Sequence, residues 1–328
     1  MDCLSCIFKC LSIFNCKNCL INKFSFNPPR PSSYTIENNN LYLLSKVNSG
    51  ILLTFPWIDY TLITIPTASN TEIPAIHIIN SSANLTLLYC HGNSADLGLL
   101  FYYLLELSTQ LKVHILAFEY TGYGPSKVKP SESSLEKDAE AAYSYLISKT
   151  DWKTIVVYGS SLGSYPACII AANYKIHALI LQSPLASASY IMCSSVGKPR
   201  KNDAFNNLKL VSFIKCPVLV IHGEADEVIP ICHAKALVKN AKYPYQPLWI
   251  ERGRHNTLEI QNPFMFYSHI RSFLMELPQL VQAVITKETQ EQSLSLEISN
   301  EKTKSRRGSI VESTLGRKDI SFEQKRFI

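Results

Sequence analysis

From residue 85 onward, short apolar runs alternate with stretches of helical period, and this alternation limits the fold more than any other feature. The runs are LTLLY (85–89), VHILAFEY (113–120), TIVVY (154–158), HALILQ (177–182), CPVLVIH (216–222) and PLWIE (247–251). Helices are predicted between and after them over about 95–110, 134–149, 162–173, 231–240 and 262–276. Apolar runs without polar alternation belong to strands covered on both faces. The pattern therefore predicts an α/β chain with a mostly parallel sheet and helices on both sides. Residues 41–79 hold several shorter strand-like runs separated by turn residues, which predict an antiparallel opening. Sites in such sheets lie at the carboxyl ends of the strands, so the residues just after each run are the ones to read for chemistry.

The chain has 328 residues, 46% hydrophobic and 18% charged, enough apolar material for one sizeable core. Four parts are predicted: a Cys-rich segment over 1–26, a Pro-rich linker over 27–40, the globular body over 41–284 and a disordered charged tail over 285–328. No internal repeat of 20–50 residues is visible. The formal net charge of +6 is unevenly placed. Residues 1–30 carry +3, residues 285–328 carry +2, and the 254 residues between them hold nineteen basic and eighteen acidic side chains. A near-neutral body argues against nucleic acid as a partner, because that function needs a basic face on the folded part. It leaves an anionic membrane surface as a partner for one end.

The residues after three late strands form a reactive set. TIVVY is followed by Gly159-Ser160-Ser161-Leu162-Gly163 and then a helix, the G-x-S-x-G pattern in its strand–turn–helix setting. The glycines let the two segments approach, and the turn exposes the hydroxyl of the central Ser161. The Leu162 N–H, at the helix start, can face a developing oxyanion. A serine hydroxyl is too weakly acidic to attack unaided, so a base and an orienting acid are needed. CPVLVIH is followed by Gly223-Glu224-Ala225-Asp226, where Asp226 is preferred over Glu224 and Glu227 as the acid. PLWIE is followed by Arg252-Gly253-Arg254-His255, which places His255 on the loop after the last strand. The order Ser161, Asp226, His255 is that of α/β-hydrolases. His77, His114, His177 and His222 lie in or at strand-like runs and are read as structural, and His233 and His269 fall on predicted helices. LTLLY is followed by Cys90-His91-Gly92-Asn93-Ser94. An H-G turn here commonly supplies a second oxyanion donor, assigned to the Asn93 N–H with Ser94 as the alternative, while His91 shapes the turn. The turn Thr121-Gly122-Tyr123-Gly124 is read as structural.

The segments HGNSADLG (91–98), EYTGYG (119–124), YGSSLG (158–163), QSPLAS (182–187), PVLVIHGEADEVI (217–229) and PLWIERGRHN (247–256) together resemble the α/β-hydrolase-domain depalmitoylases of family 17, within the S33-like serine hydrolases. The resemblance covers roughly residues 26–276 and includes an N-terminal Cys cluster followed by a Pro-rich segment. It implies the α/β-hydrolase fold with Ser161 as nucleophile, Asp226 as acid and His255 as base. It also implies thioester hydrolysis of S-palmitoyl cysteines on membrane-associated proteins, with no metal or organic cofactor. The charged tail, Ser160 in the elbow and the divergent residues 187–214 depart from that pattern. Rival activities on the same triad are an ester lipase, a monoacylglycerol lipase and an S33-type peptidase; a rival of another class is a scaffold without turnover. The connection over 184–215 is short for a lid, so an open site is expected and a deep closed tunnel over Ser161 would count against it.

Five of the ten cysteines, Cys3, Cys6, Cys10, Cys16 and Cys19, lie in the first nineteen residues. Leu4, Ile7, Phe8, Leu11 and Phe14 recur there at helical spacing, a pattern suited to a membrane interface, and acyl chains on these cysteines would supply the second anchoring signal. A zinc site on the two C-x-x-C pairs is the rival reading. Asp2 excludes myristoylation and, with Lys9 and Lys17, argues against a signal peptide. The expected location is the cytoplasmic face of a membrane, plasma or endosomal, peripheral through the lipid anchor. In a reducing compartment the scattered Cys90, Cys168, Cys193, Cys216 and Cys232 are core thiols, and the sequons at Asn80 and Asn84 go unused. Arg306-Arg307-Gly308-Ser309 resembles a basophilic kinase site of the incidental kind.

Overall fold

A computed structural model describes residues 26–37, 40–44, 57–192 and 203–315. The five N-terminal cysteines and Cys193 lie outside these residues. The predicted alternation is present. Strands β3 (Ile58–Pro66), β4 (Glu72–Asn80), β5 (Thr86–Cys90), β6 (His114–Phe118), β7 (Ile155–Ser160), β8 (Ala178–Gln182), β9 (Val218–Gly223) and β10 (Leu248–Ile250) form one sheet in the order β10-β9-β8-β7-β5-β6-β4-β3. The six strands from β5 to β10 run parallel, and β4 and β3 continue the edge in antiparallel pairing, as the shorter runs predicted. β1 (Tyr34–Glu37) and β2 (Asn40–Leu43) make a separate antiparallel pair.

The central strands are buried at every position of β5, β8 and β9, which is why they lack polar alternation. Helices α1 (Leu97–Leu111), α2 (Glu132–Ile147), α3 (Ser164–Asn173), α4 (Ala188–Met192), α5 (Asn207–Val211), α6 (Cys232–Asn240), α7 (Leu258–Gln261) and α8 (Pro263–Leu315) fill the crossovers and the C-terminal part. α2, α3, α5 and α6 pack against one another on one face of the sheet. α1 lies with the first part of α8 on the other, where Arg271 donates to the Gln110 carbonyl and the Tyr267 hydroxyl to Glu106. Parallel strands place all their carboxyl ends on one edge, so the loops carrying Asn93, Ser161, Asp226 and His255 leave the sheet from that edge. Cys90, Cys168 and Cys216 are buried core thiols, and burial raises their pKa values. Asn80 is also buried, its amide donating to the Ser108 carbonyl, which suits an unused sequon.

Two expectations change. Within the Pro-rich stretch predicted as a linker over 27–40, residues 27–34 are instead a strap docked on the body. Phe26 is buried edge-on against Tyr123 and Phe205. Arg30 donates to the carbonyls of Gly122, Gly124 and Ser126. Ser33 donates through its hydroxyl and its backbone N–H to Asp96, the cap of α1. The strap lies so close to α1 that a β-carbon at Gly98 would sit 2.8 Å from the Tyr34 β-carbon. Proline stiffness, read as a spacer property, here reduces the entropy lost on docking.

The second change concerns the tail. The chain divides into two compact units at Pro278/Gln279, a few residues before the expected boundary at 284/285. In the second unit the backbone is helical to Leu315 rather than disordered from 285. Residues 279–307 contain no Gly or Pro and are rich in Gln, Glu, Lys and Leu, all good helix formers, so local propensity outweighs the polar composition. Thr286, Thr289 and Ser293 accommodate the helix by donating to the carbonyls four residues back.

Candidate active site

Ser161 sits where β7 ends and a single turn of 3-10 helix (Ser161–Gly163) leads into α3. Its φ of 52° lies in the left-handed region, an uncommon conformation for a non-glycine residue that turns the side chain out at the sheet edge. The turn is tight because Gly159 and Gly163, two residues to either side, have no side chains. A β-carbon at Gly163 would overlap the Cys90 carbonyl and lie 2.6 Å from the His91 carbonyl oxygen. Both are backbone atoms at the end of β5 and cannot move aside. Gly163→Ala is therefore expected to destabilise the protein by more than about 4 kcal/mol, read as loss of the cooperative thermal transition. A Gly163→Ala protein with an unchanged Tm would contradict this packing.

The three reactive side chains, from loops 94 and 29 residues apart, meet. The Ser161 hydroxyl is 2.9 Å from His255 Nε2, and His255 Nδ1 is 2.8 Å from Asp226 Oδ2. The carboxylate that meets the imidazole is Asp226: Glu224 is exposed, and Glu227 accepts instead from the His255 backbone N–H and pairs with Arg254. Asp226 and His255 are buried, whereas Ser161 is half-buried and keeps a path to solvent. Burial of Asp226 would raise its pKa. Hydrogen bonds from His222, His255 and the Ile229 N–H outweigh that and hold the carboxyl well below the usual range. The chain of hydroxyl, imidazole and carboxylate can draw the serine proton and stabilise the imidazolium that results.

One contributor was not legible beforehand. His222, read as structural at the end of a strand, is fully buried with Nε2 3.2 Å from Asp226 Oδ2 and 2.7 Å from the Ile229 carbonyl oxygen. Asp226 Oδ1 accepts from the Val228 and Ile229 N–H groups. The acid is thus gripped on both oxygens before it meets His255. The spacing His222-x-x-x-Asp226 was the available signal. Two of the other histidines have structural partners: His114 accepts from the Asn80 N–H, and His233 accepts from the Ala186 N–H.

Leu162 follows Ser161 in the helical turn, where the first N–H groups have no acceptor within the helix. Across from it, the loop after β5 comes up to the serine: a β-carbon at Gly92 would lie 3.6 Å from the Ser161 β-carbon. Asn93 is held by its side-chain oxygen, which accepts from the Tyr123 hydroxyl at 2.6 Å and the Asn27 N–H at 2.8 Å. The turn read as structural therefore reaches the site through Tyr123. Ser94, the alternative donor, accepts weakly from the Asn27 amide at 3.4 Å. Among the described residues no group of three or more His, Cys, Asp and Glu could hold a metal, and no helix is long and apolar enough to cross a membrane.

This sheet order, with a serine elbow, a late acid and a last-loop histidine, defines the α/β-hydrolase fold. The family profile described as alpha/beta hydrolase fold matches residues 86–208. An esterase of Pyrococcus furiosus superposes with a TM-score of 0.57 at 18% identity, over 76% of this chain and 98% of that one. The chain is 31% identical over 299 residues to the Caenorhabditis elegans alpha/beta hydrolase domain-containing protein aho-3, covering 89% of both. It is 37% identical over 186 residues to human alpha/beta hydrolase domain-containing protein 17B, which covers 56% of this chain and 65% of the human protein, just under two thirds of its length. The chain belongs to the family of alpha/beta hydrolase domain-containing proteins.

Proposed function

We propose that the protein is a serine hydrolase that removes S-palmitoyl groups from membrane-associated proteins. The observation that carries the hydrolase reading is the unbroken relay from Ser161 through His255 to Asp226, with contacts of 2.9 and 2.8 Å. Ser161 attacks the acyl carbonyl as its proton passes to His255 Nε2, and Asp226 holds the imidazole and its charge. The N–H groups of Leu162 and Asn93 receive the tetrahedral oxyanion. The carbon–sulfur bond breaks, the thiol takes the proton from His255, and water then attacks the acyl-serine through the same base to release the fatty acid. A thiol, with a pKa of about 8.5, leaves far more readily than an alcohol, so a thioester asks little of the general acid.

The resemblance of the motif segments to the family 17 depalmitoylases supports the acyl-thioester substrate, and the half-buried Ser161 suits a carbonyl presented on the surface of another protein. Attachment to the cytoplasmic face of a membrane through acylated Cys3, Cys6, Cys10, Cys16 and Cys19 would bring enzyme and substrate to one surface; these residues lie outside the described ones. Replacing all five with serine is expected to move the protein from the floating to the soluble fraction. The substrate is tested by comparing a palmitoyl-Cys peptide with an oxygen-ester lipid of the same acyl chain on vesicles. The thioester is expected to turn over at least about tenfold faster in kcat/KM. A preference for the oxygen ester would replace this reading with an ester lipase.

A further inference from the structure

We propose that the N-terminal strap, residues 26–34, is a positioning element of the oxyanion hole; this rests on the serine-hydrolase reading above. Both ends of the strap converge on one peptide unit, that of Gly92 and Asn93. This unit is planar and trans, so fixing its carbonyl aims its N–H the opposite way. The N–H is that of Asn93, the oxyanion donor.

The carbonyl is fixed from inside the body. His91 Nδ1 lies 2.8 Å from the Gly92 carbonyl oxygen, which can only accept, so that nitrogen donates. The other ring nitrogen lies 3.0 Å from Glu119 Oε1, and neither of these two atoms has another partner among the described residues. Glu119 is fixed in turn by the strap, because the Tyr34 hydroxyl donates to Oε2 at 2.9 Å alongside the Leu97 N–H at 3.0 Å. Tyr34, Glu119 and His91 are fully buried, so water cannot substitute for a missing member. The other end of the strap acts on Asn93 itself, through the hydrogen bond from the Asn27 N–H to its side-chain oxygen. The strap is separated by 66 residues from Asn93 and by 85 from Glu119, and it lies before the region matched by the family profile. It thus adds to a site that the α/β body does not complete alone.

The test uses the full chain, an acyl thioester as substrate and an alkyl trifluoromethyl ketone, whose serine adduct carries the tetrahedral oxyanion. Tyr34→Phe removes one hydroxyl. Asn27→Pro removes the backbone N–H, together with the weak side-chain contact to Ser94 that Asn27→Ala removes by itself as a control, at an exposed position that already precedes a proline and is therefore extended. Tyr34→Phe and Asn27→Pro are each expected to lower kcat by about tenfold or more with KM within about twofold, and to weaken the ketone by the same factor as kcat/KM. If Tyr34→Phe fails to fold, Asn27→Pro decides. Variants that lose thermal stability but keep wild-type kcat well below their Tm would overturn the proposal, as would a change confined to KM. A fluorophosphonate probe separates the two levels. A wild type that is not labelled at Ser161 removes the hydrolase reading and this proposal with it; a labelled wild type with fully active variants removes this proposal alone.

Discussion

Ser161→Ala is expected to lower kcat by about 10⁴- to 10⁶-fold and to abolish fluorophosphonate labelling while the protein stays folded. The size of the loss follows from what remains. His255 and Asp226 keep their contact at 2.8 Å, and the N–H groups of the oxyanion hole stay in place, but no atom is left to form the acyl bond. Residual activity would come from water attacking a substrate polarised by those donors. The fold should tolerate the change, because Ser161 is half-buried and, among the described residues, its hydroxyl is bonded only to the histidine. The left-handed backbone strains an alanine about as much as a serine. Circular dichroism and a thermal melt establish the fold, and single-turnover kinetics read the rate. A variant that retains even a hundredth of wild-type kcat would sink Ser161 as the nucleophile.

Asp226→Asn is expected to lower kcat by about 10⁴-fold, nearly as much, through the histidine rather than the serine. The two backbone N–H groups of Val228 and Ile229 already claim Oδ1, so an amide oxygen would be drawn to that side. The amide NH₂ would then replace Oδ2 and donate to His255 Nδ1. That forces the ring hydrogen onto Nε2, where it faces Ser161 and cannot accept its proton. The NH₂ would also meet His222 Nε2 in place of the carboxylate oxygen. A second readout follows from the depressed carboxyl pKa. A native-state pKa below the unfolded value of about 4 contributes stability above that pH, and the contribution is lost as pH falls below it. The Asn variant should therefore be less stable than wild type at neutral pH, and the gap should close in acid. An Asp226→Asn enzyme within tenfold of wild type would show that another group orients His255.

The elbow was legible because it is local. Strand, glycine, serine and helix start fall within a few residues, and the steric reason for each glycine is stated by its neighbours. The acid and the base were legible for a related reason, since parallel strands force every carboxyl-end loop to one edge. His222 was not, because a histidine inside an apolar run looks the same whether it packs or grips a carboxylate four residues on. The strap misled in the opposite sense. FNPPRPSSY has the composition of a spacer, and only its hydrogen-bond partners 63 to 96 residues away, with Phe205 farther along the chain, turn it into a docked segment. In the tail, polar composition and helix-forming residues point in different directions, and the backbone is helical to Leu315.

The chain by itself determined the alternation of buried strands and helices, the order in which serine, acid and base leave the sheet, and the tight turn that exposes the serine. These depend on period, burial and backbone sterics over short spans. Only the tertiary structure decided which residues hold Asp226, and that Asn27 and Tyr34 close on the peptide beside Ser161. Those contacts join residues far apart in sequence. Their hydrogen bonds are favourable because the packed core excludes water, and no local window of the chain carries that information.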